Sequence, residues 1–168
     1  GLTKTGVYAH YAGKDAIFAA LLDHVLLQAR MDITAAWHPD GTVALEDMVE
    51  HVKGLLRDLE LPFRQLLLCG GDMGFSSAMT YDMEVWSAAQ QRWLEVSSIS
   101  NFETFQSNRL KLRYRGEDKK PKLAHTLNGS ALALARIVAA LLENNQTPEG
   151  IRIPAALQPY TGFDMIRK

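Results

Sequence analysis

The chain has 168 residues, 47% of them hydrophobic and 22% charged, with a formal net charge of −1. That length builds one domain or at most two small ones, and the composition is that of an ordinary globular protein, which excludes disordered and disulfide-rich classes. A near-zero net charge excludes a global pull toward nucleic acid or anionic membrane, so any such binding has to come from a local patch.

In chain order, Thr3 caps a short helix running to about Tyr11. A second helix follows from Lys14 to about Trp37, with Ile17, Phe18, Leu21, Leu22, Val25 and Leu26 at helical spacing. HPDGT, residues 38–42, is a turn by composition. A third helix is predicted from about Val43 to Leu59, on a stripe of Leu45, Met48, Val49, Val52, Leu55, Leu56 and Leu59. From Pro62 the texture changes. FRQLLLC (63–69) reads as a buried strand, which would make Cys69 a buried, reduced thiol. TYDMEVWS (80–87) and RWLEVSSIS (92–100) read as the strands of a hairpin closed at AAQQ.

NFETFQSNRLKLRYR (101–115) is predicted to be a helix and GEDKKPK (116–122) a charged loop. AHTLNGS (124–130) is a strand or extended lead-in to an apolar helix from Ala131 to Leu142. The proline-rich TPEGIRIPAALQPYTGF (147–163) is expected to pack on the surface. Helices come first and a largely antiparallel sheet second. The expected class is therefore α+β: an antiparallel sheet with flanking helices, preceded by two or three helices. A single cysteine excludes an intramolecular disulfide, and no apolar run approaches the ~18 residues of a membrane span. The first residues, GLTKTGVYAHY, lack the pattern of a secretory signal, so the cytoplasm is the expected compartment.

Two features carry chemistry. With the hairpin turn centred on Ala89–Gln90, Trp86 faces Trp93, Glu84 faces Glu95 and Asp82 faces Ser97, all on one side of the sheet. The opposite side carries Tyr81, Met83, Val85, Leu94, Val96 and Ser98 and reads as core. Carboxylates directly opposite each other repel. Such a pair is either a solvated polar face or the floor of a cleft that holds an arginine, lysine or metal cation. The second feature is Arg136, in the middle of the apolar helix, where burial would demand an anionic partner. The polar turn TLNGS before that helix offers N–H groups and the side chains of Asn128 and Ser130 to an anion. A phosphate-bearing ligand and an internal ion pair with Glu84 or Glu95 both remain open.

From about His38 onward the chain closely resembles the C-terminal part of the catalytic domain of bacterial seryl-tRNA synthetases. The resemblance rests on LPFRQLLLCGGDMGFSSAMTYDMEVWSAAQQRWLEVSSISNFETFQSNRLKLRYR and HTLNGSALALARIVAALLENNQTPEGIRIPAALQPY. It implies a class II fold, with NGSALALAR as the third class II motif. Arg136 would then be the catalytic arginine that contacts ATP. Glu95, Val96, Ser97 and Ser98 would form the ATP-binding segment, with Glu95 and Ser98 as magnesium ligands. Asn128 and Ser130 would hold the serine substrate. The implied activity is activation of serine with ATP, followed by transfer to tRNA. Ser98 falls on the core side of the regular hairpin, so the resemblance requires a twist or bulge there.

The first two class II motifs and the tRNA-holding coiled-coil arm have no counterpart in these 168 residues, so the isolated chain is expected not to aminoacylate. The expected uncovered sheet surface predicts self-association. Residues 1–37, chiefly through GLTKTGVYAHYAGKDAIFAALLDHVLLQA, resemble part of the DNA-binding region of TetR-family repressors. That resemblance implies DNA contacts at Thr3, Lys4, Thr5, Tyr8 and His10. The alternatives are thus a DNA-binding regulator or an inactive chimera joined near Trp37–His38. Finally, Arg109 to Lys122 holds seven basic and two acidic residues, a local positive field on a near-neutral chain. It is either a solvated helix end and loop or a contact for the tRNA acceptor end or ATP phosphates.

Overall fold

The structure is a computed structural model that describes residues 44–167. The helices and turn expected before residue 43, and with them Thr3, Lys4, Thr5, Tyr8 and His10, lie outside the described residues.

The first described element, α1 (Leu45–Asp58), turns its apolar stripe of Leu45, Val49, Val52, Leu55 and Leu56 inward. Asp47 accepts a hydrogen bond from the Ala44 backbone N–H at 3.2 Å, which satisfies a donor the helix start would otherwise leave free. Glu46 and Asp47 in the first turn and Arg57 in the last complement the helix dipole. The chain reverses at Glu60, whose φ of 54° is left-handed.

A four-stranded antiparallel sheet follows, in the order β1 (Phe63–Leu67), β2 (Met79–Ser87), β3 (Arg92–Asn101) and β6 (Leu127–Gly129). α1 and α3 (Leu134–Asn144) pack on it. Met83, Val85, Val96 and Ile99 from the strands close a core with Leu55, Leu56, Ile137 and Leu141 from the helices. Gly129 lies where this packing is tight, since a Cβ there would sit 3.2 Å from Ile99 and 3.3 Å from the Met48 methyl. The architecture is α+β, as expected.

Several local expectations are corrected. FRQLLLC is not buried: β1 is an edge strand among the described residues, Leu67 is 60% exposed and Cys69 is exposed. The predicted helix 101–115 is only α2 (Phe105–Leu110). It stops where Lys111 takes φ 55°, and Arg113–Arg115 then forms β4. The residues Leu110, Leu112 and Tyr114 alternate with cations in a period of two, a strand pattern rather than a helical one. The charged loop is the turn of a two-stranded ribbon, with β5 at Pro121–Leu123. The helix after TLNGS is not buried all round, because Ala135 and Arg136 are exposed.

The C-terminal tail is not a surface strap. β7 (Gly150–Arg152) pairs with β8 (Met165–Arg167), and a 3-10 turn at Ala155–Leu157 leads into α4 (Gln158–Thr161). Ile153, Pro154 and Leu157 are buried. Glu60 fastens this tail to the end of α1. It pairs with Arg152 at 2.7 Å and accepts from the Ala155 N–H at 3.2 Å. The hydrogen bond from Arg152 and then that from Ala155 hold the Glu60 carboxyl below the usual glutamate range. A lowered folded value means that the stabilisation is present above the unfolded pKa and is lost as pH falls through the folded one. Glu60 is exposed, so screening keeps the effect small. Glu60→Gln is expected to destabilise at pH 7 by about 0.2–1 kcal/mol. Paired denaturation curves should converge with wild type as pH falls below the ordinary glutamate value. Among the described residues no helix is long and apolar enough to cross a membrane.

Candidate functional site

The site is built by an irregularity in the β2–β3 hairpin. At its outer end Trp86 faces Trp93 and Glu84 faces Glu95, as expected. Between Met83 and Glu84 the register shifts by one residue, a β-bulge. Beyond it Met83 faces Ser97 and Asp82 faces Ser98, which corrects the expected pairing of Asp82 with Ser97. Since side chains alternate on a strand, the extra residue carries Ser98 onto the face that bears Glu95, and Ser97 joins the core side. Val96 and Ser97 are both 1% exposed, so what they can offer a ligand is backbone rather than side chain.

The bulge also reorganises the edge of β3. Where β6 has ended, the lead-in to α3 takes over as neighbour. Ser130 N donates to Ser98 O at 3.1 Å, Ala133 N to Val96 O at 2.6 Å, and Arg136 Nη1 to Glu95 O at 2.5 Å. In a regular strand the Glu95 and Val96 carbonyls would point to opposite edges; here one segment meets both. Ser98 N in turn donates to Ser130 Oγ at 3.3 Å, and Ser97 Oγ to Ser130 O at 2.5 Å. Two of the N–H groups expected for an anion, those of Ser130 and Ala133, are therefore already used by β3.

Arg136 is exposed, which corrects the expected buried arginine with its obligatory anionic partner. Its contact is a backbone carbonyl, and neither Glu84 nor Glu95 forms an ion pair with it among the described residues. A guanidinium has five N–H donors, and one is used here. Arg136 is exposed, so the rest are open to solvent.

The repulsion between facing carboxylates is relieved by an arginine that sequence reasoning missed. Arg64 Nε donates to Glu84 Oε2 at 2.5 Å, and its guanidinium lies 4.9 Å above the Trp93 ring. Trp93 meets Trp86 edge-on at 5.4 Å. Arg64 pairs in register with Glu84, so the signal was available once FRQLL was laid beside TYDMEVW as an antiparallel neighbour. With Glu84 engaged, the Glu95 carboxylate is the member of the pair with no ion-pair partner among the described residues. Asp82, 9% exposed, has a buried Oδ1 with no hydrogen-bond partner among the described residues.

Asn128 and Ser130 are exposed at the end of β6, and Asn128 stands in register with Ser100. The fold thus brings Glu95, Ser98, Ser130 and Arg136 together, with Asn128 one pair further along the sheet. Three oxygen-bearing side chains and a cation on one exposed face of the sheet suit a polyanion with a bound cation. No cluster of three or more His, Cys, Asp and Glu forms a metal cage among the described residues.

Comparisons with known proteins show the family and the fold. A family profile described as the tRNA synthetase class II core domain (G, H, P, S and T) matches residues 32–145. The chain is similar to serine--tRNA ligase of Salinibacter ruber, 62% identical over 125 residues, covering 73% of this chain and 29% of that protein. It is similar to the Bordetella pertussis serine--tRNA ligase at 52% identity over 135 residues, covering 79% and 30%. Among solved structures it matches seryl-tRNA synthetase from Pyrococcus horikoshii complexed with ATP at TM-score 0.69 and 41% identity, covering 73% of this chain and 28% of that one. The cytoplasmic serine-tRNA ligase of Naegleria fowleri in complex with AMP matches at TM-score 0.67 and 29% identity, covering 73% and 29%. The chain spans under a third of the length of these relatives.

Proposed function

The chain belongs to the class II tRNA synthetase core-domain family (G, H, P, S and T), and from that membership we propose that residues 38–168 are the ATP- and serine-handling portion of a serine--tRNA ligase. The observation that carries this is the bulge in β2–β3. It puts Glu95 and Ser98 on one face, beside Arg136, which the regular hairpin did not allow.

Arg136 binds the ATP phosphates through its free N–H groups. Charge-assisted contacts of that kind neutralise the negative charge that repels a nucleophile. Glu95 and Ser98 offer hard oxygen donors. Few protein oxygens completed by phosphate oxygens and water is a donor set that suits Mg²⁺. When bound, magnesium adds charge neutralisation at the phosphates. Asn128 and Ser130 hold serine beside them, with Ser130 already positioned by the Ser98 N–H. The reaction is attack of the serine carboxylate oxygen on the α-phosphorus, with pyrophosphate leaving and seryl-adenylate formed. A ribose hydroxyl of tRNA then displaces AMP. The chain's share is binding and orientation, the main contribution a protein makes to phosphoryl chemistry. The cytoplasm is the working compartment.

The test is a melting series with non-hydrolysable sulfamoyl analogues of aminoacyl-adenylates. The seryl analogue is expected to raise the melting temperature, and the prolyl analogue is expected to do so much less. Equal shifts would remove the serine assignment, and no shift with either would remove the site. The same reading includes self-association. The outer edge of β1 has no strand partner among the described residues, and open edges template further pairing. Sedimentation is expected to show mass increasing with concentration; a strict monomer would contradict this.

A further inference from the structure

Asp82 is 9% exposed, and its Oδ1 is buried with no hydrogen-bond partner among the described residues. A carboxylate oxygen taken out of water without a donor costs folding free energy, and such groups are rare in folded chains. Asp82 lies on the face of β2 that carries Thr80 and Glu84, since side chains alternate. Those neighbours are already engaged: Glu84 is held by Arg64, and Thr80 Oγ1 lies 2.7 Å from Ser100 Oγ. On β1 the residue in register with Asp82 is Leu66, which has no polar side-chain atom. On β3 it is Ser98. The Ser98 backbone N–H donates to Ser130 Oγ, while the Ser98 hydroxyl makes no hydrogen bond among the described residues. An acceptor without a donor thus stands opposite a hydroxyl without an acceptor. The bulge creates this pairing, because a regular hairpin sets Asp82 against Ser97.

We propose that Asp82 is a positioning residue for Ser98: its Oδ1 accepts the Ser98 Oγ–H and so leaves the hydroxyl lone pairs to a bound divalent cation. The inference rests on the reading of Glu95 and Ser98 as oxygen donors to that cation. A hydroxyl carries one proton and two lone pairs. A free hydroxyl rotor can aim its proton at the cation, which repels it. A carboxylate across the strand takes the proton and keeps only lone pairs on the open side. Directly opposed residues have Cβ atoms roughly 4.5–5.5 Å apart, a gap that a carboxylate and a hydroxyl close with one hydrogen bond. Outer partners of this kind orient ligating groups in metal sites generally. Asp82 acts through Ser98 and not on the nucleotide, so its orphaned oxygen is a cost to folding that serves the site.

The test is calorimetric titration of ATP into the whole chain, once in magnesium and once in EDTA, with the ratio of the two affinities as the readout. Wild type is expected to bind more tightly in magnesium. Asp82→Ala should lower the ratio about tenfold, the low end for loss of an outer partner, and leave the affinity in EDTA unchanged. Ser98→Ala should lower it at least as much. The double substitution should lower it no further than Ser98→Ala alone, because the two residues act as a unit. Asp82→Asn keeps an oxygen acceptor and should recover most of the ratio. Asp82→Ala should melt no lower than wild type, since Oδ1 has no bond to lose; if it melts early, the volume-matched Asp82→Leu carries the test. An unchanged ratio in the Asp82 variants, additive losses in the double substitution, or equal weakening in magnesium and EDTA would overturn the proposal. With Ser98→Ala still impaired, those results leave the proposed site standing. A wild-type ratio of one, or a Ser98→Ala ratio equal to that of wild type, would remove the cation-donor reading of Ser98 and this proposal with it.

Discussion

Leu157→Ala is expected to lower the unfolding free energy by about 2–5 kcal/mol, the range for truncating a fully buried leucine in a packed core. Leu157 is 0% exposed and shares the main hydrophobic cluster with Leu56, Ile137 and Ile153. Its surroundings are fixed on several sides. Gln158 Nε2 donates to Ile153 O at 2.9 Å, and Glu60 holds both Arg152 and the Ala155 N–H. A site held this way collapses poorly around a cavity, so the cost should fall in the upper half of the range. The proline-rich composition of 147–163 implies a peripheral strap, for which the same truncation would cost about 0.5 kcal/mol. Urea unfolding of the two proteins separates these outcomes, and an unchanged m-value would show that the loss lies in the native state.

Arg136→Met is expected to weaken ATP-Mg binding ten- to a hundredfold, the equivalent of about 1.5–3 kcal/mol for a charge-assisted hydrogen bond. Methionine keeps length and apolar volume while removing charge. The exposed guanidinium makes one side-chain hydrogen bond among the described residues, to the Glu95 carbonyl, so its loss should cost stability by no more than about 1 kcal/mol. A buried arginine in an ion pair would behave in the opposite way, with a large stability loss of about 3–5 kcal/mol and no specific effect on nucleotide. Melting wild type and variant with and without ATP-Mg reads both quantities. A ligand-induced rise that disappears in the variant is the expected result.

Much of this fold was legible because it obeys simple periods. The stripe from Leu45 to Leu59 repeats at helical spacing, and α1 follows it closely. The hairpin alternates cleanly enough that Trp86–Trp93 and Glu84–Glu95 face each other as expected. Beyond Glu84 the period breaks. Nothing in EVSS marks which residue is doubled, because a bulge is decided by packing on both faces. Val96 and Ser97 must both reach buried positions, and Ser98 moves to the open face as a result. The resemblance required Ser98 beside Glu95 when alternation forbade it, and the bulge resolves that conflict. Where composition was read without period, the expectation failed. LKLRYR alternates and forms a ribbon strand, yet its continuity with a helical segment hid that. LLLC is apolar, yet it lies on and beyond a strand that is an edge among the described residues, and apolarity alone does not report position in a sheet. Arg136 was misjudged by its neighbours in sequence, whereas its face of the helix is the exposed one.

The proposed nucleotide site, where β3 meets the lead-in to α3, can be tested residue by residue. The measurement is a titration of ATP-Mg into the isotope-labelled chain, followed by amide chemical shifts. Saturable shifts are expected at Glu95–Ser98, Ser130 and the first turn of α3, and they should be lost in Arg136→Met. Shifts confined to the basic ribbon at Arg113–Lys122, or none at millimolar ATP-Mg, would contradict that placement.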